Sequence, residues 1–249
     1  MRESYHKEYS AALGRDMEYL VFSADGDGAG AKICFAFAPQ NGRFYAFKDF
    51  GMVETMRPWI EAGKLTVVCP DSIDEETWSN AGGDPGARIR RQEAWFTYLT
   101  NELWPAVNPS GGKILTTGCS MGAVHAANFF FRRPDLCDTL IALSGTYNAD
   151  DFFGGYCDEL VYANSPAHFL PNMPADHPWM ELYRKSSIIL CCGQGPWEDE
   201  LLRRTHEMDD LLSAKGIPHW ADYWGFDVAH DWPWWRKQLP YFLGCLMGL

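Results

Sequence analysis

The chain has 249 residues, 47% of them hydrophobic, enough to bury a sizeable core in one large α/β domain or two small ones. Its formal net charge of −12 repels nucleic acid and anionic membrane surfaces, which excludes both as main partners. The opening MRESYHKEYS carries no apolar run that would make a signal peptide, and the most apolar tail, LPYFLGCLMGL, is far shorter than the roughly 20 residues of a spanning helix, so a cytoplasmic protein is expected.

In chain order, MEYLVFSAD (17–25) and AKICFAFAP (31–39) flank the glycine-rich GDGAG and predict an antiparallel hairpin at one edge of a sheet. MVETMRPWIEAG (52–63) predicts a helix, and LTVVCPD (65–71) has the form of a buried parallel strand. ARIRRQEAWFTYLTNELWPAV (87–107) has apolar residues at helical spacing. KILTTG (113–118) predicts a strand, and AVHAANFFFRR (123–133) a helix that stops before Pro134. DTLIALSG (138–145) and SSIILCCGQG (186–195) predict two more buried strands. EDELLRRTHEMDDLLSAKG (198–216) opens on acids and closes on Lys-Gly, as a helix dipole and a glycine cap favour. A last strand starts near His219, and a last helix runs from about 233 to 247.

This alternation implies a mostly parallel sheet with helices on both faces, in a single domain over 1–249. The exception is 146–185, about 40 residues rich in Asn, Asp, Gly and Pro. It predicts a small lid-like insertion over the C-terminal strand ends, where such sheets bind ligands, helping to shape the pocket.

Chemistry concentrates in TTGCSMGAVHAA (116–127). Gly118-Cys119-Ser120-Met121-Gly122 lies where a strand turns into a helix of small residues. In so sharp a turn, side chains at 118 and 122 would clash with neighbouring chain. Ser120 is then strained and exposed, beside the free N–H groups that open the helix. A serine needs a base, and the base an orienting acid, which in this type of sheet follow in the order Ser, acid, His. Of seven histidines, only His230 comes after the last strand and before the last helix; His6, His125, His168, His177, His206 and His219 are misplaced. The acid falls in GQGPWEDEL, where Glu198 and Asp199 both qualify, ahead of Glu200 and Asp227. Oxyanion donors are expected from the Met121 N–H and from Gln40, or alternatively Asn41, with Gly42 easing close approach. Hydrolysis by such a triad falls in acid as His230 takes up a proton.

The eight cysteines form no C-x-x-C pair and no His/Cys cluster at ligand spacing, so free buried thiols are expected, with no metal and no organic cofactor. Eleven Trp and 15% aromatic residues suit a pocket wall that grips an apolar or aromatic group. ARIRR (87–91) is a candidate anion patch, although a solvated basic helix face explains it as well.

With these residues assembled, the chain resembles the α/β-hydrolase superfamily. Within it, the chain is similar to the esterase group that includes feruloyl esterases, S-formylglutathione hydrolases, enterochelin esterases and mycolyltransferases. The shared segments are GCSMGAVHAANFFFRRPDLCDTLIALSG, CGQGPWEDEL and HDWPWWRKQLPYFL. The resemblance covers 17–247 and implies Ser120 as nucleophile, His230 as base and Glu198 or Asp199 as acid; the expected activity is that of a serine esterase hydrolysing carboxylic esters or thioesters. PQNGRF stands where the group has His-Gly, which leaves the second oxyanion donor open. Acyl transfer by the same triad, or a non-catalytic binding protein of the same fold, are the alternatives. Among enzymes, a peptidase is a further rival without support.

Overall fold

Runs such as ILTTGC and CDTLIAL are buried on both faces, inside a sheet covered on both sides. The computed structural model describes residues 1–26 and 30–248; Asp27, Gly28 and Ala29, within the expected GDGAG turn, and Leu249 lie outside the described residues. In chain order the elements are β1 (Arg2–Ser10), β2 (Arg15–Ser23), β3 (Lys32–Phe37), α1 (Ala46–Asp49), α2 (Met52–Glu61), β4 (Leu65–Pro70), α3 (Pro85–Thr97), α4 (Trp104–Val107) and β5 (Ile114–Cys119). Then come α5 (Met121–Arg132), β6 (Cys137–Leu143), α6 (Asp150–Phe153), α7 (Glu159–Ala163), α8 (Pro166–Asn172), α9 (Pro178–Arg184), β7 (Ser187–Cys192), α10 (Asp199–Ala214), β8 (Trp220–Tyr223) and α11 (Trp232–Met247).

The eight strands form one sheet in the order β1-β2-β4-β3-β5-β6-β7-β8. β3 to β8 run parallel, whereas β1–β2 and β2–β4 pair antiparallel. An antiparallel edge pair is therefore present, but the expected pairing of 17–25 with 31–39 is wrong. β2 pairs with β1, from Arg2↔Ser23 to Ser10↔Arg15, and β4 lies between β2 and β3. The reason is burial. β3 is buried at Cys34, Phe35, Ala36 and Phe37 and needs a strand on each side, which β4 and β5 provide as parallel neighbours. β1 is an edge strand whose residues are nearly all exposed or half-exposed, so its charged sequence carries no period-2 signal.

Alternation along the strands divides the core. Phe35 and Phe37 face one layer with Trp95 and Phe96 of α3, Phe129–Phe131 of α5 and Met208 and Leu212 of α10. Cys34 and Ala36 face the other, with Met52, Met56 and Ile60 of α2 and Trp235, Leu239 and Phe242 of α11. The expected 87–107 helix is interrupted by a π-helical turn at Tyr98–Leu103, just before Pro105, which lacks the N–H to continue the ladder. Among the described residues no helix is long and apolar enough to cross a membrane.

The 146–185 segment is an insertion of four short helices, α6 to α9. Phe152 and Phe153 pack edge-on against Trp78, and the Tyr183 hydroxyl donates to the Phe131 carbonyl at 2.5 Å. Leu170, Met180 and Tyr183 are buried in the α5–α10 layer. Arg88 of the basic ARIRR stretch is also buried, donating to the carbonyls of Thr77, Trp78 and Phe152. Arg88 is therefore no anion site and Arg91 is tied to Glu76, whereas Arg90 is exposed, as a solvated basic face requires.

Candidate active site

β5 ends at Cys119 and α5 begins at Met121, leaving Ser120 alone at the bend with φ 57° and ψ −122°. A non-glycine residue there costs on the order of 1–3 kcal/mol, so its surroundings must enforce it. The Ser120 N–H donates to the Leu143 carbonyl at 2.9 Å, and its carbonyl accepts from the Ala123 N–H at 2.9 Å. The two glycines are obligatory by contact: a Cβ on Gly118 would lie 2.2 Å from the Gly122 backbone, and one on Gly122 would lie 2.1 Å from the Phe37 carbonyl oxygen. The bend crosses directly over the end of β3. Met121 is the first helical residue, so its N–H has no intrahelical acceptor.

The loops after β7 and β8 bring the base and one acid together. His230 Nδ1 lies 3.2 Å from Glu198 Oε2. The His230 N–H also donates to the Pro196 carbonyl at 3.0 Å, locking the two loops. Glu198 is 1% exposed, so its charge must be met inside the protein. The Ser144 hydroxyl donates to Oε1 at 2.6 Å, and the Cys192 thiol donates to Oε2 at 3.4 Å. Burial, then the Glu198 charge, holds that thiol far above its ordinary pKa, so it stays a donor. The Trp235 indole N–H donates to Ser144 Oγ at 3.2 Å, and its ring meets His230 edge-on at 4.9 Å. Asp199, Glu200 and Asp227 are exposed, and none of them bonds His230. Geometry thus brings Glu198 to the histidine and leaves Asp199 at the solvent-facing start of α10.

Ser120 and His230 share a cleft of about 350 Å³ with Pro39, Gln40, Asn41 and Gly42 of the loop after β3, Phe50 near α1, and Trp232 and Trp235 of α11. Phe50 and Trp232 stack at 4.5 Å with their planes 4° apart. The Asn41 N–H is taken by Asp74 Oδ2 at 3.0 Å, which removes Asn41 from the donor candidates and leaves Gln40. No residue of 146–185 lines this cleft, so the expected lid and pocket role of that segment is corrected. Phe152 and Phe153 pack on Trp78 and Tyr183 on α5, while the wall is built by α11 and the loop after β3.

The sequence does not single out Ser144, Trp235, Asp74 or the buried His125, although all four support the site. Ser144 had a visible signal, a Ser-Gly at a strand end, and it too is left-handed at φ 53°. Asp74 is hidden in the acidic run DEE, and His125 among the small residues of α5.

A family model described as "Putative esterase" matches residues 45–245. No curated protein matches the chain by sequence. Among solved structures, a ferulic acid esterase is similar with a TM-score of 0.74 at 19% identity, over 96% of this chain and 95% of that one. An S-formylglutathione hydrolase from Agrobacterium tumefaciens gives 0.75 at 15% identity, over 98% and 93%. MPT51 (FbpC1) of Mycobacterium tuberculosis gives 0.65 at 16% identity, over 98% of each chain. The structural likeness establishes the α/β-hydrolase fold, and the family match extends over most of the chain. The chain therefore belongs to this esterase family, as a carboxylic ester hydrolase built on the α/β-hydrolase fold.

Proposed function

We propose that the enzyme cleaves small-molecule esters through an acyl-enzyme on Ser120, with His230 as base and Glu198 as the orienting acid. The observation that carries this is the 3.2 Å bond from His230 Nδ1 to a buried Glu198, on the same cleft as Ser120. With Nδ1–H donated to the carboxylate, the lone pair of Nε2 is left to take the Ser120 proton as Oγ attacks the ester carbonyl. The oxyanion is met by the N–H groups of Met121 and Gln40. Collapse expels the alcohol, protonated by His230, and a water activated by the same histidine hydrolyses the acyl-serine. Phe50, Trp232 and Trp235 favour an apolar or aromatic group on the substrate. The eight free cysteines, six of them buried, support a cytoplasmic, reducing location.

The test is hydrolysis of p-nitrophenyl esters from acetate to octanoate, comparing wild type with Ser120→Ala. A loss of order 10⁴-fold in kcat is expected. Activity that survives the substitution overturns the reading.

A further inference from the structure

The loop from Gln40 to Phe44 is fastened, residue by residue, to side chains of the segment after β4. Gln40 Nε2 donates to Ser79 Oγ at 2.9 Å, Ser72 Oγ donates to the Gly42 carbonyl at 3.0 Å, and Asp71 receives both Arg43 Nε at 2.8 Å and the Phe44 N–H at 3.1 Å. One member of this cradle does more. Asp74 takes the Asn41 N–H on Oδ2 at 3.0 Å, while its other oxygen lies 2.8 Å from His125 Nε2. His125 is on α5, about one turn after Met121. Asp74 and His125 are 1% and 3% exposed, and the imidazole is fixed against Trp95 at 4.7 Å between ring centres.

We infer that Asp74, held by His125, is a positioning residue that sets the distance between the two oxyanion donors. The inference rests on the catalytic reading above, in which Gln40 and Met121 supply those donors. One carboxylate joins the loop that carries Gln40 to the helix that begins at Met121. Asn41 is left-handed at φ 58°, a conformation that a non-glycine residue keeps only under constraint. The bond to Asp74 supplies that constraint, and it commits the Asn41 N–H away from the oxyanion. Without it, the loop relaxes and Gln40 loses its register with Met121, although Ser120, His230 and Glu198 stay in place.

Asp74→Leu removes both acceptors at similar volume, and Asp74→Asn keeps one. An oxyanion donor contributes about 10²–10³-fold to kcat, so a displaced donor in Asp74→Leu is expected to lower kcat by about 10–100-fold. KM should move by less than about threefold, because the effect is on the transition state. Affinity for phenylboronic acid, which forms a tetrahedral adduct on the nucleophile, should fall in step with kcat/KM. Asp74→Asn should recover kcat to within about fivefold of wild type. Should Asp74→Leu not fold, His125→Asn, whose shorter side chain withdraws from Asp74, carries the test with the same expected loss of kcat. Unchanged kcat and boronate affinity in the folded variants, with only a lowered melting temperature, overturns the inference while leaving the triad intact. Ser120→Ala, run in parallel, separates the two ideas: activity surviving that change overturns the catalytic reading itself.

Discussion

The elbow at 118–122 and the acid–histidine pair at 198 and 230 are built by opposite means. The elbow is held by backbone against backbone, Gly118 on Gly122 and Gly122 on the end of β3, at distances where a single methyl group does not fit. The pair is held by side chains, with Ser144, Cys192 and Trp235 closing around one carboxylate. The first arrangement demands particular residues at fixed spacing and tolerates no substitute. The second demands only a filled hydrogen-bond inventory, which several residue types can supply.

The contrast can be broken first at Gly122. Gly122→Ala places a methyl 2.1 Å from the Phe37 carbonyl oxygen, so the elbow or β3 must shift. Near-complete loss of activity is expected, with a stability loss of about 3 kcal/mol or more, read by thermal melting. A fully active, stable alanine variant would show that the elbow is not fixed by this contact.

Next comes Glu198→Gln, which keeps the shape but not the charge that orients His230. A fall in kcat of about 10³–10⁴-fold is expected, against less than about twofold for Asp199→Asn. Equal losses in both variants would return the acid to the open choice between neighbours that the sequence allows.

Ser144→Ala leaves one oxygen of the buried carboxylate without its donor, the 2.6 Å bond being lost. Steady-state kinetics should show about a 10-fold lower kcat, the scale of one hydrogen bond to a charged group. No change in kcat would assign Ser144 to packing alone.

The smallest effect concerns the frame under the pair. Asp209 of α10 accepts from the Tyr223 hydroxyl at 2.7 Å and lies 2.8 Å from His219 Nε2, tying the helix that follows Glu198 to the strand that precedes His230. Burial pushes the Asp209 carboxyl up, but these two bonds outweigh it, and its pKa lies below the ordinary value. A depressed pKa stabilises the fold above the ordinary Asp value, near 3.9, and that contribution fades as pH falls through the lowered value. Asp209→Asn should therefore cost about 1 kcal/mol at pH 7 in urea unfolding, with the difference shrinking below about pH 4. A difference that stays constant with pH would mean the bonds, not the charge, hold the frame.

How much of this was legible in the chain follows from the same contrast. The buried strands β4 to β7 and helices α5 and α10 were readable because core burial imposes apolar runs, caps and stops. The first hairpin was misassigned because pairing between strands is settled by neighbours distant in sequence, and because an exposed edge strand carries no pattern. The glycines point to the bend at Ser120, and chain order points to His230 as the candidate base. Glu198 could not be separated from Asp199, since adjacent carboxylates differ only in which one the end of β7 turns inward. The insertion at 146–185 was recognised by its irregular composition, but which wall it packs against is a property of Trp78 and α5, not of the insertion's own residues.

By itself, then, the sequence determined the alternating architecture, the bend at Ser120 and the order of the groups around it, because each is dictated by local geometry or by chain direction. Only the tertiary structure decided which acid faces His230, which loop N–H Asp74 takes up, and which side chains wall the cleft. Those choices depend on distances between segments remote in the chain, such as Asp74 to Asn41 and to His125, and on which buried polar groups are already satisfied by one another.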